Sequence, residues 1–76
     1  MQPYMNLNGD SGVTAYEIGA DYITVQFKSG RERNYTYTNL SAGHDRVEQL
    51  KRLARQGYGL NSYINRVVDK AYASKY

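Results

Sequence analysis

The sequence predicts an α+β fold, a three-stranded antiparallel meander followed by two helices packed on one sheet face. Three observations carry this reading. Apolar and polar residues alternate from Tyr16 to Phe27 and again around Tyr35 and Tyr37, which is the pattern of half-buried strands. Beyond Ser41 the apolar spacing changes to i, i+3, i+4, which is helical. The strands precede the helices rather than alternating with them, so the helices are segregated to one side of the sheet.

Residues 1–12, MQPYMNLNGDSG, show no period and are rich in turn formers; they read as a flexible N-terminal tail, with residues 13–76 as the single domain. Tyr16 and Ile18 alternate with Glu17 in the first strand. Ile23, Val25 and Phe27 alternate with Thr24 and Gln26 in the second. Gly19, Ala20 and Asp21 turn between them, and Ser29-Gly30 marks the next hairpin. The third strand is read as Arg31 to Thr38.

The register of that hairpin decides where Tyr35 and Tyr37 point. A two-residue turn places them beside Thr24 and Gln26 on the uncovered face. A three-residue turn pairs Phe27 with Arg33, Val25 with Tyr35 and Ile23 with Tyr37, because a one-residue slip exchanges the faces. The second version buries more apolar surface and avoids setting Lys28 opposite Arg31, so it is preferred. The first would leave Arg and Tyr side chains as a stacking platform for single-stranded nucleic acid.

Ser41 is the expected cap of the first helix, whose apolar stripe is Val47, Leu50, Leu53 and Ala54; Gly57 ends it. Asn61 or Ser62 is expected to cap the second. Its stripe of Ile64, Val67, Val68, Ala71 and Tyr72 places Val67 in the middle of the buried face, so an aspartate at position 67 is expected to unfold the protein.

At 76 residues the chain makes one domain, and it buries only about 60% of its unfolded surface. It has no cysteine, so neither disulfides nor thiolate metal sites support it. No export signal or membrane-spanning run is readable, so a cytoplasmic location is expected. The net charge of +3 permits nucleic-acid binding without requiring it. Nine tyrosines against one phenylalanine and no tryptophan indicate half-buried or interfacial aromatic positions.

Four stretches together resemble the KTSC domain family, named for the C-terminus of some lysyl-tRNA synthetases and found also as stand-alone bacterial proteins. They are SGV at Ser11, IGADYITVQFKSG from Ile18 to Gly30, YTY from Tyr35 to Tyr37, and GYGLNSYI from Gly57 to Ile64. The interval between Gly30 and the Tyr-x-Tyr is longer than the family pattern, and a Pro after the third strand is missing near Leu40-Ser41. The synthetase context suggests RNA or tRNA as a partner. The resemblance brings no catalytic residues with it.

The residues themselves argue against catalysis. His44 is the only histidine, and no nucleophile is placed for it to orient. The carboxylates, Asp10, Glu17, Asp21, Glu32, Asp45, Glu48 and Asp69, have no metal-ligand spacing. Gly57 and Gly59 are not followed by the Lys-Ser/Thr of a phosphate loop. No enzyme activity, cofactor or metal is therefore expected. The candidate nucleic-acid-binding residues are Arg31, Arg33, Tyr35 and Tyr37 on the third strand and Lys51, Arg52 and Arg55 along the first helix, with Glu48 placed to pair with Arg52. The rival reading is a protein-interaction or self-associating domain that uses its open sheet face, since Tyr and Arg are favoured at interfaces. One contiguous basic face would favour the first reading; dispersed cations and an apolar open face would favour the second.

Overall fold

A computed structural model describes residues 1–9 and 11–76; Asp10 lies outside the described residues. Five strands form one antiparallel sheet: β1 (Gln2–Pro3), β2 (Val13–Ile18), β3 (Tyr22–Phe27), β4 (Asn34–Thr38) and β5 (Ser74–Lys75), in that spatial order. Between β4 and β5 come three helices, α1 (Asn39–Ala42), α2 (His44–Gln56) and α3 (Leu60–Tyr63), and a π turn (Ile64–Val68). The α+β class is as expected, and the predicted meander is the centre of the sheet. It gains an edge strand on each side, and the two predicted helices become three and a π turn.

The register is that of the wider hairpin. Val25 pairs with Tyr35 and Ile23 with Tyr37, and the Phe27 amide donates to the Arg33 carbonyl at 2.7 Å. Tyr35 and Tyr37 therefore share a face with Ile23 and Val25. Tyr37 is 1% exposed and joins Ile23, Val25, Val47, Leu50, Leu60, Ile64 and Val68 in the core. The third strand starts at Asn34 rather than Arg31, so both arginines lie in the connection before it.

Burial makes the Tyr37 phenolate unfavourable and holds the hydroxyl well above its ordinary pKa of 10.0; Tyr35 and Tyr72 add to the effect. The folded state keeps the proton while the unfolded state loses it. Stability is thus intact below about pH 10 and falls by about 1.4 kcal/mol per pH unit above it from this group alone. Tyr37→Phe should flatten that alkaline slope in urea unfolding between pH 8 and 11. Parallel slopes for the two proteins would show that the hydroxyl ionises freely.

The opposite face is polar and internally satisfied. The Thr24 and Thr36 hydroxyls meet at 2.8 Å, Gln26 Nε2 donates to Asn34 Oδ1 at 3.2 Å, and the Tyr22 hydroxyl donates to Glu17 at 2.9 Å. The open face expected for a protein interface is therefore not apolar.

Part of the N-terminal segment packs on the domain. Gln2 and Pro3 pair with Tyr16 and Ala15, Tyr4 is buried, and the Leu7 amide donates to the Gly57 carbonyl at 2.8 Å. Gly57 ends α2 with φ 91°, a left-handed conformation. A Cβ there would lie 2.9 Å from Met5 side-chain atoms, so the same glycine stops the helix and admits the N-terminal segment.

Helix starts also differ from the sequence reading. Gly43, not Ser41, precedes α2, the helix that carries Val47, Leu50 and Ala54, and it provides no side-chain cap; Ser41 lies inside α1, where it shares a capping box with Thr38. Gly59, rather than Asn61 or Ser62, precedes α3. In the π turn the Asp69 amide reaches back five residues to the Ile64 carbonyl. This wider turn rotates each residue less than an α-helix does, so the face begun by Leu60 and Ile64 returns at Val68. Val68 is 2% exposed, whereas Val67 is 37% exposed. The expectation that Val67 lies on the buried face is corrected accordingly. Among the described residues no helix is long and apolar enough to cross a membrane.

Candidate nucleic-acid interface

A groove of about 610 Å³ lies between the tip of the β3–β4 hairpin and the chain that follows the π turn. Its floor is aromatic, with Phe27, Tyr35, Tyr37 and Tyr72. The strand register sets Tyr35 beside Val25 and brings Phe27 near it, with ring centroids 5.4 Å apart at 86°. Tyr72 arrives from the segment before β5 and meets Tyr35 edge-on at 5.1 Å and Tyr37 at 6.4 Å. Such edge-to-face contacts fix the rings in place. Phe27, Tyr35 and Tyr72 remain half-buried, so part of each is available to a ligand.

The rim carries charge of both signs: Arg31, Lys70 and Lys75 against Glu32 and Asp69. Lys75 Nζ lies 3.8 Å from Glu32 and 5.5 Å from the Tyr72 ring centroid. The Tyr72 hydroxyl, then the Glu32 carboxylate, raise the Lys75 ammonium above its ordinary range, so it stays charged at neutral pH. The ion pair is exposed and contributes little stability. Arg31 and Lys70 have no ion pair or hydrogen-bond partner among the described residues.

Asp69 has φ 32° and ψ −98°. A non-glycine residue with positive φ costs about 1–3 kcal/mol. This strain and the π turn both adjoin the groove, and both features cluster at functional sites.

The seven candidate residues do not form one face. Arg31 and Tyr35 come together in the groove, and Tyr37 forms its floor but is too buried to stack a base. Arg33 is exposed on the hairpin outside the groove lining. Lys51 is a structural residue: it is 5% exposed, donates to the Ala20 carbonyl at 3.1 Å and pairs with Glu48 at 3.0 Å. That hydrogen bond holds the Glu48 carboxyl below its ordinary range. The expected Glu48–Arg52 pair is thus replaced, and Arg52 donates instead to Gln49. Arg55 lies in a separate hollow with Met1, Tyr16 and Glu17. Among the described residues no three His, Cys, Asp or Glu side chains are grouped to hold a metal ion.

Sequence reasoning missed Lys70, Tyr72 and Lys75 at this site. Their signal was the basic and aromatic interleaving of KAYASKY at the end of the chain, the same kind of pattern that singled out Arg31 to Tyr37. It was hidden because Ala71 and Tyr72 also fit a helical stripe. Comparison of the chain with protein-family models, curated proteins and solved structures gives no match.

Proposed function

We propose that the chain is a non-enzymatic module that binds single-stranded nucleic acid, RNA foremost, in the aromatic groove. The observation that supports this is the combination at one place of half-buried rings (Phe27, Tyr35 and Tyr72) with the rim cations Arg31, Lys70 and Lys75. Unstacked bases lie against aromatic rings, and cations hold the phosphates beside them. The KTSC resemblance, with its synthetase context, agrees with an RNA or tRNA partner. The basic residues first expected on one face are divided among separate places, so the reading rests on the groove alone. A self-associating or protein-binding domain gains less support, because the open sheet face satisfies its own polar groups.

The test is fluorescence anisotropy of labelled single-stranded RNA and of tRNA at low and physiological salt. Binding should be micromolar or tighter at low salt, and three phosphate contacts give a log–log salt slope of about −2. The double variant Arg31→Glu, Lys70→Glu should weaken binding at least about tenfold, while Arg55→Glu changes it by no more than about twofold. Equal effects of the two proteins, or no binding at low salt, would show that the groove is not a nucleic-acid site.

A further inference from the structure

A second cleft of about 400 Å³ adjoins the first groove. Asn65, on the π turn, belongs to the walls of both. The cleft is lined by side chains of a different kind, among them Asn8, Asn61, Ser62 and Arg66, and includes no acid among the described residues. Asn65 and Arg66 are both exposed. The Arg66 side chain has no ion pair or hydrogen-bond partner among the described residues.

We infer that the groove and the cleft are one continuous track, and that its ligand is a single strand of at least two nucleotides rather than a lone nucleotide or a duplex. This deepens the reading of the groove as a nucleic-acid site and rests on it. Each depression falls in the range of about 300–1,000 Å³ that accommodates one small ligand, so the pair has room for more than one nucleotide. Their chemistries are complementary along a strand. The groove offers rings and suits a base, which must be unstacked to reach them. The cleft offers amide and hydroxyl groups and a guanidinium, which suit the ribose hydroxyl and phosphate that follow. Asn65 is where the sugar–phosphate chain crosses from one to the other. A duplex keeps its bases stacked and cannot present one to Tyr35 and Tyr72.

The experiment is isothermal titration calorimetry of the full chain with uridine monophosphate and oligouridylates of two to six nucleotides, with an RNA duplex as competitor. Affinity should rise at least about tenfold from the mononucleotide to the trinucleotide and then level off. Arg66→Glu, at an exposed position, should weaken the tetranucleotide about fivefold and reduce its salt slope by about one, leaving the mononucleotide unchanged. Circular dichroism confirms that this variant is folded. Equal affinity for mononucleotide and tetranucleotide, no effect of Arg66→Glu, or equal competition by the duplex would each overturn the track while leaving the groove as a site. Absence of binding by every oligonucleotide at low salt would overturn the groove and the track together.

Discussion

Val68→Asp is expected to abolish folding, whereas Val67→Asp leaves the domain intact. The two valines are adjacent and chemically identical, so the contrast isolates the π turn. Val68 is 2% exposed among Leu60, Ile64 and the sheet residues of the core. A carboxylate there loses the packing of a buried valine, about 1.5–3 kcal/mol, and adds the larger cost of burying a charge without a partner. A domain of this size holds only about 0.05–0.15 kcal/mol of stability per residue, so the sum exceeds what the fold can absorb. Val67 is 37% exposed, and an aspartate there stays hydrated, at a cost of about 1 kcal/mol or less. Urea unfolding followed by circular dichroism measures both. Val68→Ala and Val67→Ala give the same contrast at a smaller scale, about 2 against less than 1 kcal/mol, should Val68→Asp not accumulate. Equal losses at the two positions would mean that the turn is an ordinary α-helix.

The second large effect is expected at Lys51. Reversing its charge with Lys51→Glu sets a buried carboxylate against Glu48 and the Ala20 carbonyl, where an ammonium now donates to both. A carboxylate buried at position 51 with no cation beside it, and with Glu48 close by, should destabilise the fold severely. Lys51→Met keeps the stem's volume and removes the charge. Glu48 is itself half-exposed and can rehydrate, so this change should cost about 1 kcal/mol. Arg52→Glu, one residue along on the solvent side, should lie within about 0.5 kcal/mol of the parent. Denaturant midpoints for the three variants should therefore separate widely, and similar midpoints for the charge reversals at 51 and 52 would show that Lys51 is an ordinary surface lysine.

These positions also show what was legible in the sequence. The alternation in β2 and β3 is a side-chain signal, and it yielded both strands. Burial then selected the right hairpin register, because only that one places Tyr35 and Tyr37 opposite Val25 and Ile23. The edge strands carry no such signal. Each is two residues long and exposed, held by main-chain pairing that leaves no periodicity behind. The π turn escaped for a different reason. Val67 and Val68 are both apolar, so a 3.6-residue template fits either, and only a main-chain hydrogen bond five residues long separates the two arrangements. Lys51 looked like a helix-surface lysine because its partner at Ala20 is 31 residues away. The groove was missed as a unit because its walls come from the β3–β4 hairpin and from the residues from Ile64 onward, which only the folded sheet brings together.

The shortness of β5 has a dynamic consequence. One wall of the groove hangs on that strand, which pairs with β4 over two residue pairs, Tyr35–Lys75 and Thr36–Ser74, flanked by main-chain bonds from Ala73 to Thr36 at 2.7 Å and between Tyr76 and Asn34 at 2.9 Å. Peeling it away exposes little apolar surface, so amide exchange at Asn34 and Tyr76 proceeds through a cheap local opening rather than through global unfolding. Lys75 moves with it, while Tyr72 stays packed on Tyr35 and Tyr37. A ligand gripped by both Lys75 and Tyr72 closes the opening, and its affinity is the intrinsic value reduced by the fraction of time the wall stands away from the sheet.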